Sequence, residues 1–130
     1  VSQKPVIAVV DDDPRVLESL ENLFESVGYT VATFSSGQSL LTCDLSSINC
    51  LITDIGMPGM DGFELLDIVK KTRPKLPVFL LTGRHEIGDQ HRATGKDISG
   101  FFTKPFGGQD LVAAIDHTLG DIDLEGNNDQ

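Results

Sequence analysis

Carboxylate, hydroxyl and ammonium groups stand at the ends of four short apolar runs. Asp11, Asp12 and Asp13 follow VIAVV, Asp54 follows CLIT, Thr82 follows VFLL, and Lys104, with Pro105 after it, follows FFT. Carboxylates gathered at close range cannot all stay ionised without a cation. Hard oxygen ligands with no His or Cys nearby favour Mg²⁺ over zinc, while an ammonium and a hydroxyl facing them are groups that hold phosphate oxygens. The chemistry that uses all of these parts is phosphoryl transfer to a carboxylate, in which an aspartate attacks phosphorus and a metal and a lysine neutralise the moving charge. Asp11, Asp12 and Asp54 sum to −3 and Lys104 adds +1, so such a site is neutral only with a divalent cation.

The apolar runs that must position these groups read as strands. Val6–Val10, Thr30–Phe34 and residues 50–53, 78–81 and 101–103 are continuous and rich in β-branched or aromatic residues, as strands buried on both faces should be. Between the first two, Val16, Leu17, Leu20, Leu23, Phe24 and Val27 form one helical stripe. Asp13 is its cap, Pro14 suits its first turn and Gly28 its exit. Further helices are predicted around 36–42, from about 62 to 72 (burying Phe63, Leu66 and Val69) and from about 109 to 119 (burying Leu111, Val112, Ile115 and Leu119), with a weaker one in 85–99. Strict β-α alternation means a parallel sheet covered by helices on both faces. In such sheets the ligand site lies outside the carboxyl ends of the strands, which is where the reactive residues stand.

The length of 130 residues suits one domain. Twenty acidic against ten basic side chains give a net charge of −10, which argues against direct binding of nucleic acid or of an anionic membrane. Part of that charge is in 121–130, with Asp121, Asp123, Glu125 and Asp129 and no base. The expected organisation is a domain over 1–120 followed by an acidic flexible tail or the start of a linker. With no apolar run near the ~20 residues that span a bilayer and no signal-peptide layout, the expected location is cytoplasmic. Cys43 and Cys50 read as reduced, mostly buried thiols. His85, His91 and His117 read as surface residues, and Phe24, Phe34, Phe63 and Phe79 as core.

Taken together, VVDDD, CLITDIGMPGMDGFEL, VFLLTG and FFTKPF resemble the motifs of the response-regulator receiver domain of two-component signalling, over about residues 5–119. The first half is most similar to receivers of FixJ/NarL-type transcription regulators. The resemblance implies a flavodoxin-like (CheY-like), doubly wound five-stranded parallel sheet in the order 2-1-3-4-5 with five helices. It implies that Asp54 accepts the phosphoryl group, and that Asp11, Asp12, Asp54 and the Gly56 carbonyl hold Mg²⁺. Thr82 matches the switch hydroxyl, Lys104 the lysine that contacts the phosphoryl group, and Phe101 the aromatic switch residue. The Lys104–Pro105 peptide is expected to be cis, aiming the lysine at the site. The implied donor is a sensor histidine kinase or phosphotransfer protein. Signalling would run through the face of the fourth helix, fifth strand and last helix, which binds partners or forms a homodimer on phosphorylation. No output domain is recognised in these residues, so a stand-alone regulator or an excised receiver is expected, with no enzymatic turnover beyond self-phosphorylation and autodephosphorylation.

The stretch 84–100 departs most from the family. Asp97 and Ile98 stand where a Gly-Ala pair is common, Gly100 where an acidic residue is frequent, and Gly95 interrupts the helix; Gly56 and Arg84 occupy positions that tune phosphate lifetime. One competing reading is therefore a docking module that phosphorylation does not switch. Another is a phosphatase of the haloacid-dehalogenase type, which also forms an aspartyl phosphate; that family carries a second carboxylate two residues after its nucleophile, where this chain has Gly56.

Overall fold

The computed structural model describes residues 5–83 and 95–128, with backbone alone over 121–128. Strands β1 (Val6–Val10), β2 (Thr30–Phe34), β3 (Cys50–Asp54), β4 (Val78–Thr82) and β5 (Gly100–Thr103) form one sheet. Every pairing is parallel and the order is β2-β1-β3-β4-β5, the doubly wound arrangement expected. Helices α1 (Pro14–Ser26), α2 (Gly37–Leu41), α3 (Gly62–Thr72) and α4 (Gly108–Asn128) alternate with the strands. A 3-10 turn at Leu45–Ser47, which the sequence does not signal, follows α2 and is capped by Asp44. Most of the helix expected in 85–99 lies outside the described residues, and 95–99 form a turn and loop in which Gly95 has a φ of +84°.

Successive strand residues point to opposite faces, so the sheet divides the core in two. Ala8, Val10, Leu51, Val78 and Leu80 pack with Leu40 of α2 and with Phe63, Leu65, Leu66 and Val69 of α3. Ile7, Val9, Cys50, Ile52, Phe79 and Leu81 pack with Leu20 and Phe24 of α1 and with Leu111, Ile115 and Leu119 of α4. Phe34 packs at the edge of the first core, so each of the four phenylalanines expected inside is in or against one of the two cores. Cys50 is fully buried, and burial pushes its thiol up to about 12. It stays protonated and unreactive at neutral pH. Cys43 is a half-buried free thiol.

Helix ends follow their local chemistry. The Asp13 side chain accepts from the backbone N–H of Arg15 at the start of α1, and Gly28, with φ +101°, turns the chain out of it. Val27, expected in the buried stripe, is the C-terminal cap of α1 and is 50% exposed, because the helix has ended before its face returns to the sheet. A reciprocal capping box opens α3: Asp61 Oδ1 accepts from Glu64 N–H at 2.9 Å, and Asp61 N–H donates to Glu64 Oε1 at 3.0 Å. The last helix does not stop near residue 119. It runs to Asn128, so the segment expected as a flexible tail is helical over 121–128. Gly120 and Gly126 weaken a helix by about 1 kcal/mol each relative to alanine without terminating it, and no proline follows. The Tyr29 hydroxyl donates to the Asp116 carboxylate, tying the entry of β2 to α4.

Candidate functional site

Strand register assembles the site. Val10 lies level with Thr53, so Asp11 and Asp54 leave adjacent strands side by side. Asp54 is level with Leu81, and Thr82 with Thr103, which brings Thr82 and Lys104 one step beyond on the same edge. The pairing continues past the strand ends: Asp11 N–H donates to Phe34 O at 3.1 Å, and Lys104 N–H to Thr82 O at 2.8 Å. The Lys104–Pro105 peptide is cis, as expected.

One oxygen from each of Asp11, Asp12 and Asp54 lies within 4.8 Å of the others. Asp11 is fully buried and Asp54 nearly so, whereas Asp12 faces solvent. Lys104 Nζ reaches both inner carboxylates, 2.9 Å from Asp11 Oδ2 and 3.1 Å from Asp54 Oδ1. The other Asp11 oxygen accepts the Asp13 N–H at 2.9 Å, so Asp11 is fixed from two sides. Burial first, and then the negative charge of Asp11, raise the Asp54 carboxyl above the ordinary range; the charge and hydrogen bond of Lys104 offset only part of this. Burial works against the charge on Lys104, but the hydrogen bond to Asp11 and the two carboxylate charges outweigh it, and its pKa is raised. Asp13, the helix cap, is lowered by its hydrogen bonds from Arg15.

This donor set fits Mg²⁺. It offers carboxylate oxygens with no imidazole or thiolate among them, and its −2 charge, from three carboxylates and one ammonium, is what a divalent cation cancels. Among the described residues, no second group of three or more such side chains converges in this way.

Thr82 is buried and its hydroxyl donates to Gly83 O at 3.2 Å. Phe101 is level with Leu80, half-buried and packed against the core under α3. Gly56 lies in the loop leaving β3 and is exposed. His117 is on the surface of α4, while His85, His91 and Arg84 lie outside the described residues.

Two features were not legible in the sequence. A Cβ on Gly62 would stand 2.5 Å from the Asp54 carbonyl oxygen and 2.8 Å from Ile55 Cα, so α3 begins against the backbone of the candidate acceptor. The Gly62 N–H donates to Ile55 O at 2.9 Å, locking that approach. A groove of about 610 Å³, walled by Val16, Leu20, Leu23, Pro105 and Phe106, opens beside Lys104. It is built by α1 and the loop after β5, two elements distant in sequence.

A parallel 2-1-3-4-5 sheet with an acidic cluster and a lysine at its carboxyl edge defines a class of α/β signalling domains. The chain belongs to the response regulator receiver domain family, whose pattern it matches over residues 7–116. It is 36% identical over 121 residues to the transcriptional regulatory protein GlrR of Escherichia coli (strain K12), covering 92% of this chain and 27% of that protein. It is 36% identical over 115 residues to the response regulator protein TmoT of Ectopseudomonas mendocina, covering 87% of this chain and 52% of TmoT. The chain thus spans between about a quarter and a half of these relatives. Among solved structures, a receiver domain protein from Clostridium thermocellum is similar with a TM-score of 0.84 and 31% identity, covering 92% of this chain and 98% of that one. A FixJ-N structure is similar at a TM-score of 0.79 and 28% identity, covering 88% and 93%. It stands among receivers of several kinds, so the FixJ/NarL likeness does not set this chain apart. Receiver membership supports a phosphoacceptor role in two-component signalling.

Proposed function

We propose that Asp54 is the phosphoacceptor and that its phosphorylation, dependent on Mg²⁺, is read out through β5 and the elements beside it. The observation that carries this reading is the placement of Asp54: nearly buried, 3.1 Å from Lys104 and beside two further carboxylates. An Asp54 oxygen attacks the phosphorus of a phosphohistidine on a sensor kinase or phosphotransfer protein. The P–O bond forms as the P–N bond breaks, and the imidazole leaves with the electron pair. Asp11, Asp12, Asp54 and the Gly56 carbonyl would hold a divalent cation, which would neutralise charge on the phosphoryl oxygens. Lys104 supplies a fixed positive charge, and its two carboxylate contacts hold the ammonium at the site before the phosphoryl group arrives. The apolar groove beside Lys104 suits an apolar side chain of the protein that carries the phosphohistidine.

Once Asp54 carries the phosphoryl group, the Thr82 hydroxyl turns toward it and Phe101 follows inward. This shifts a two-state equilibrium at the face made by β5 and α4, where partners or a second copy bind. The chain's own chemistry is confined to its self-phosphorylation and the hydrolysis that reverses it. The test is a titration with Mg²⁺ and beryllofluoride followed by NMR. Saturable shifts at residues 54–57, 82–83 and 101–104 are expected, spreading along β5 and α4. No response, or the same response in Asp54→Asn, contradicts the assignment of Asp54; a response confined to the site contradicts the proposed readout.

A further inference from the structure

We propose that α3 is a mechanical link between Asp54 and β5, and that two crossed ion pairs between α3 and the segment entering β5 form its distal joint and favour the unphosphorylated arrangement. This rests on the reading of Asp54 as acceptor. At its N-terminal end α3 is seated against the acceptor's backbone, with no room for a Cβ at Gly62. One to two turns on, Asp67 Oδ1 lies 3.3 Å from Lys96 Nζ, and Lys70 Nζ lies 3.3 Å from Asp97 Oδ2. On α3 the acid precedes the base, and on the partner segment the base precedes the acid. Both pairs are therefore satisfied in one alignment, and a slip of one residue brings like charges together.

Lys70 is a fixed post rather than a free arm. Its side chain is only 17% exposed, and its ammonium also donates to Leu76 O at 2.6 Å and to Pro74 O at 3.3 Å. The segment it holds leads directly into the switch strand. Ile98 packs into the core shared with α3, Ser99 N–H donates to Val78 O at 2.8 Å to open the β4–β5 ladder, and Phe101 follows. Displacing Phe101 and β5 relative to α3 must strain or break the crossed pairs.

The test uses the pair Asp67 and Lys96, both partly exposed so that their variants fold. Beryllofluoride affinity in the presence of Mg²⁺ is measured for wild type, Asp67→Lys, Lys96→Asp and the double swap, at low salt and near 1 M salt. At low salt each single reversal is expected to tighten binding by about two- to five-fold, the range that loss of an exposed pair implies, and the swap to return it to the wild-type value. At high salt the four proteins converge. Single variants equal to or weaker than wild type, or a swap that fails to restore, overturn the proposal. A wild type that binds no beryllofluoride contradicts the assignment of Asp54 instead.

Discussion

Replacing Asp54 by asparagine is expected to stabilise the metal-free protein while removing its stabilisation by Mg²⁺. Three carboxylate oxygens within 4.8 Å of one another share one ammonium, and Asp11 keeps its own contact with Lys104 at 2.9 Å when Asp54 loses its charge. Asparagine removes the cost of burying the Asp54 charge and its repulsion from Asp11, and these outweigh the lost attraction to Lys104, as the raised pKa of Asp54 requires. The sign agrees with linkage. Burial and the Asp11 charge raise the folded-state pKa of Asp54, so the native state holds the proton more tightly than the unfolded chain. That contribution is fully present below the unfolded pKa and is lost as pH rises through the folded one. Near neutral pH the ionised carboxylate is a net burden, which asparagine avoids. Mg²⁺ at a hundredfold excess over its dissociation constant adds about 2.7 kcal/mol to the wild type, and Asp54→Asn should show little of this. Urea unfolding with and without Mg²⁺ reads both effects. A less stable metal-free variant, or one that keeps the Mg²⁺ increment, contradicts the charge account.

Gly62→Ala tests the seating of the acceptor. The added methyl would lie 2.5 Å from the Asp54 carbonyl oxygen and 2.8 Å from Ile55 Cα, and both obstacles are backbone rather than the end of a flexible side chain. Either α3 lifts or the end of β3 shifts. Overpacking of this kind costs roughly 1–3 kcal/mol. Asp54 then moves relative to Asp11 and Lys104, which are anchored on other strands, and a misplacement on the order of 1 Å can slow a positioned reaction by about a hundredfold. Thermal melting together with the rate of phosphorylation by a small phosphodonor at saturating Mg²⁺ separates the two effects. Wild-type stability and rate in the folded variant would show that α3 does not set the acceptor's position.

Much of this architecture is written locally in the chain. Val6–Val10 and Cys50–Asp54 are apolar on both faces because the sheet is covered on both, and parallel pairing in register then carries their terminal aspartates to one edge. Hence Asp11, Asp54, Thr82 and Lys104 could be picked out from strand ends alone. What was not legible depends on tertiary contact or on weak local preference. Gly62 reads as an ordinary helix start until its distance to Asp54 is known. The Lys96–Asp67 and Lys70–Asp97 pairs join segments 29 and 27 residues apart, and no periodicity announces them. The extension of α4 to Asn128 was hidden by its glycines and asparagines, which favour turns but do not forbid a helix.

The most direct test of the central claim is intact-mass analysis after incubation with Mg²⁺ and a small phosphodonor such as acetyl phosphate. The wild-type chain is predicted to gain a single phosphoryl group, dependent on Mg²⁺ and lost on standing, and Asp54→Asn to gain none. A wild type that stays unmodified, or an Asp54→Asn variant modified to the same extent, would contradict the assignment of Asp54 as the phosphoacceptor.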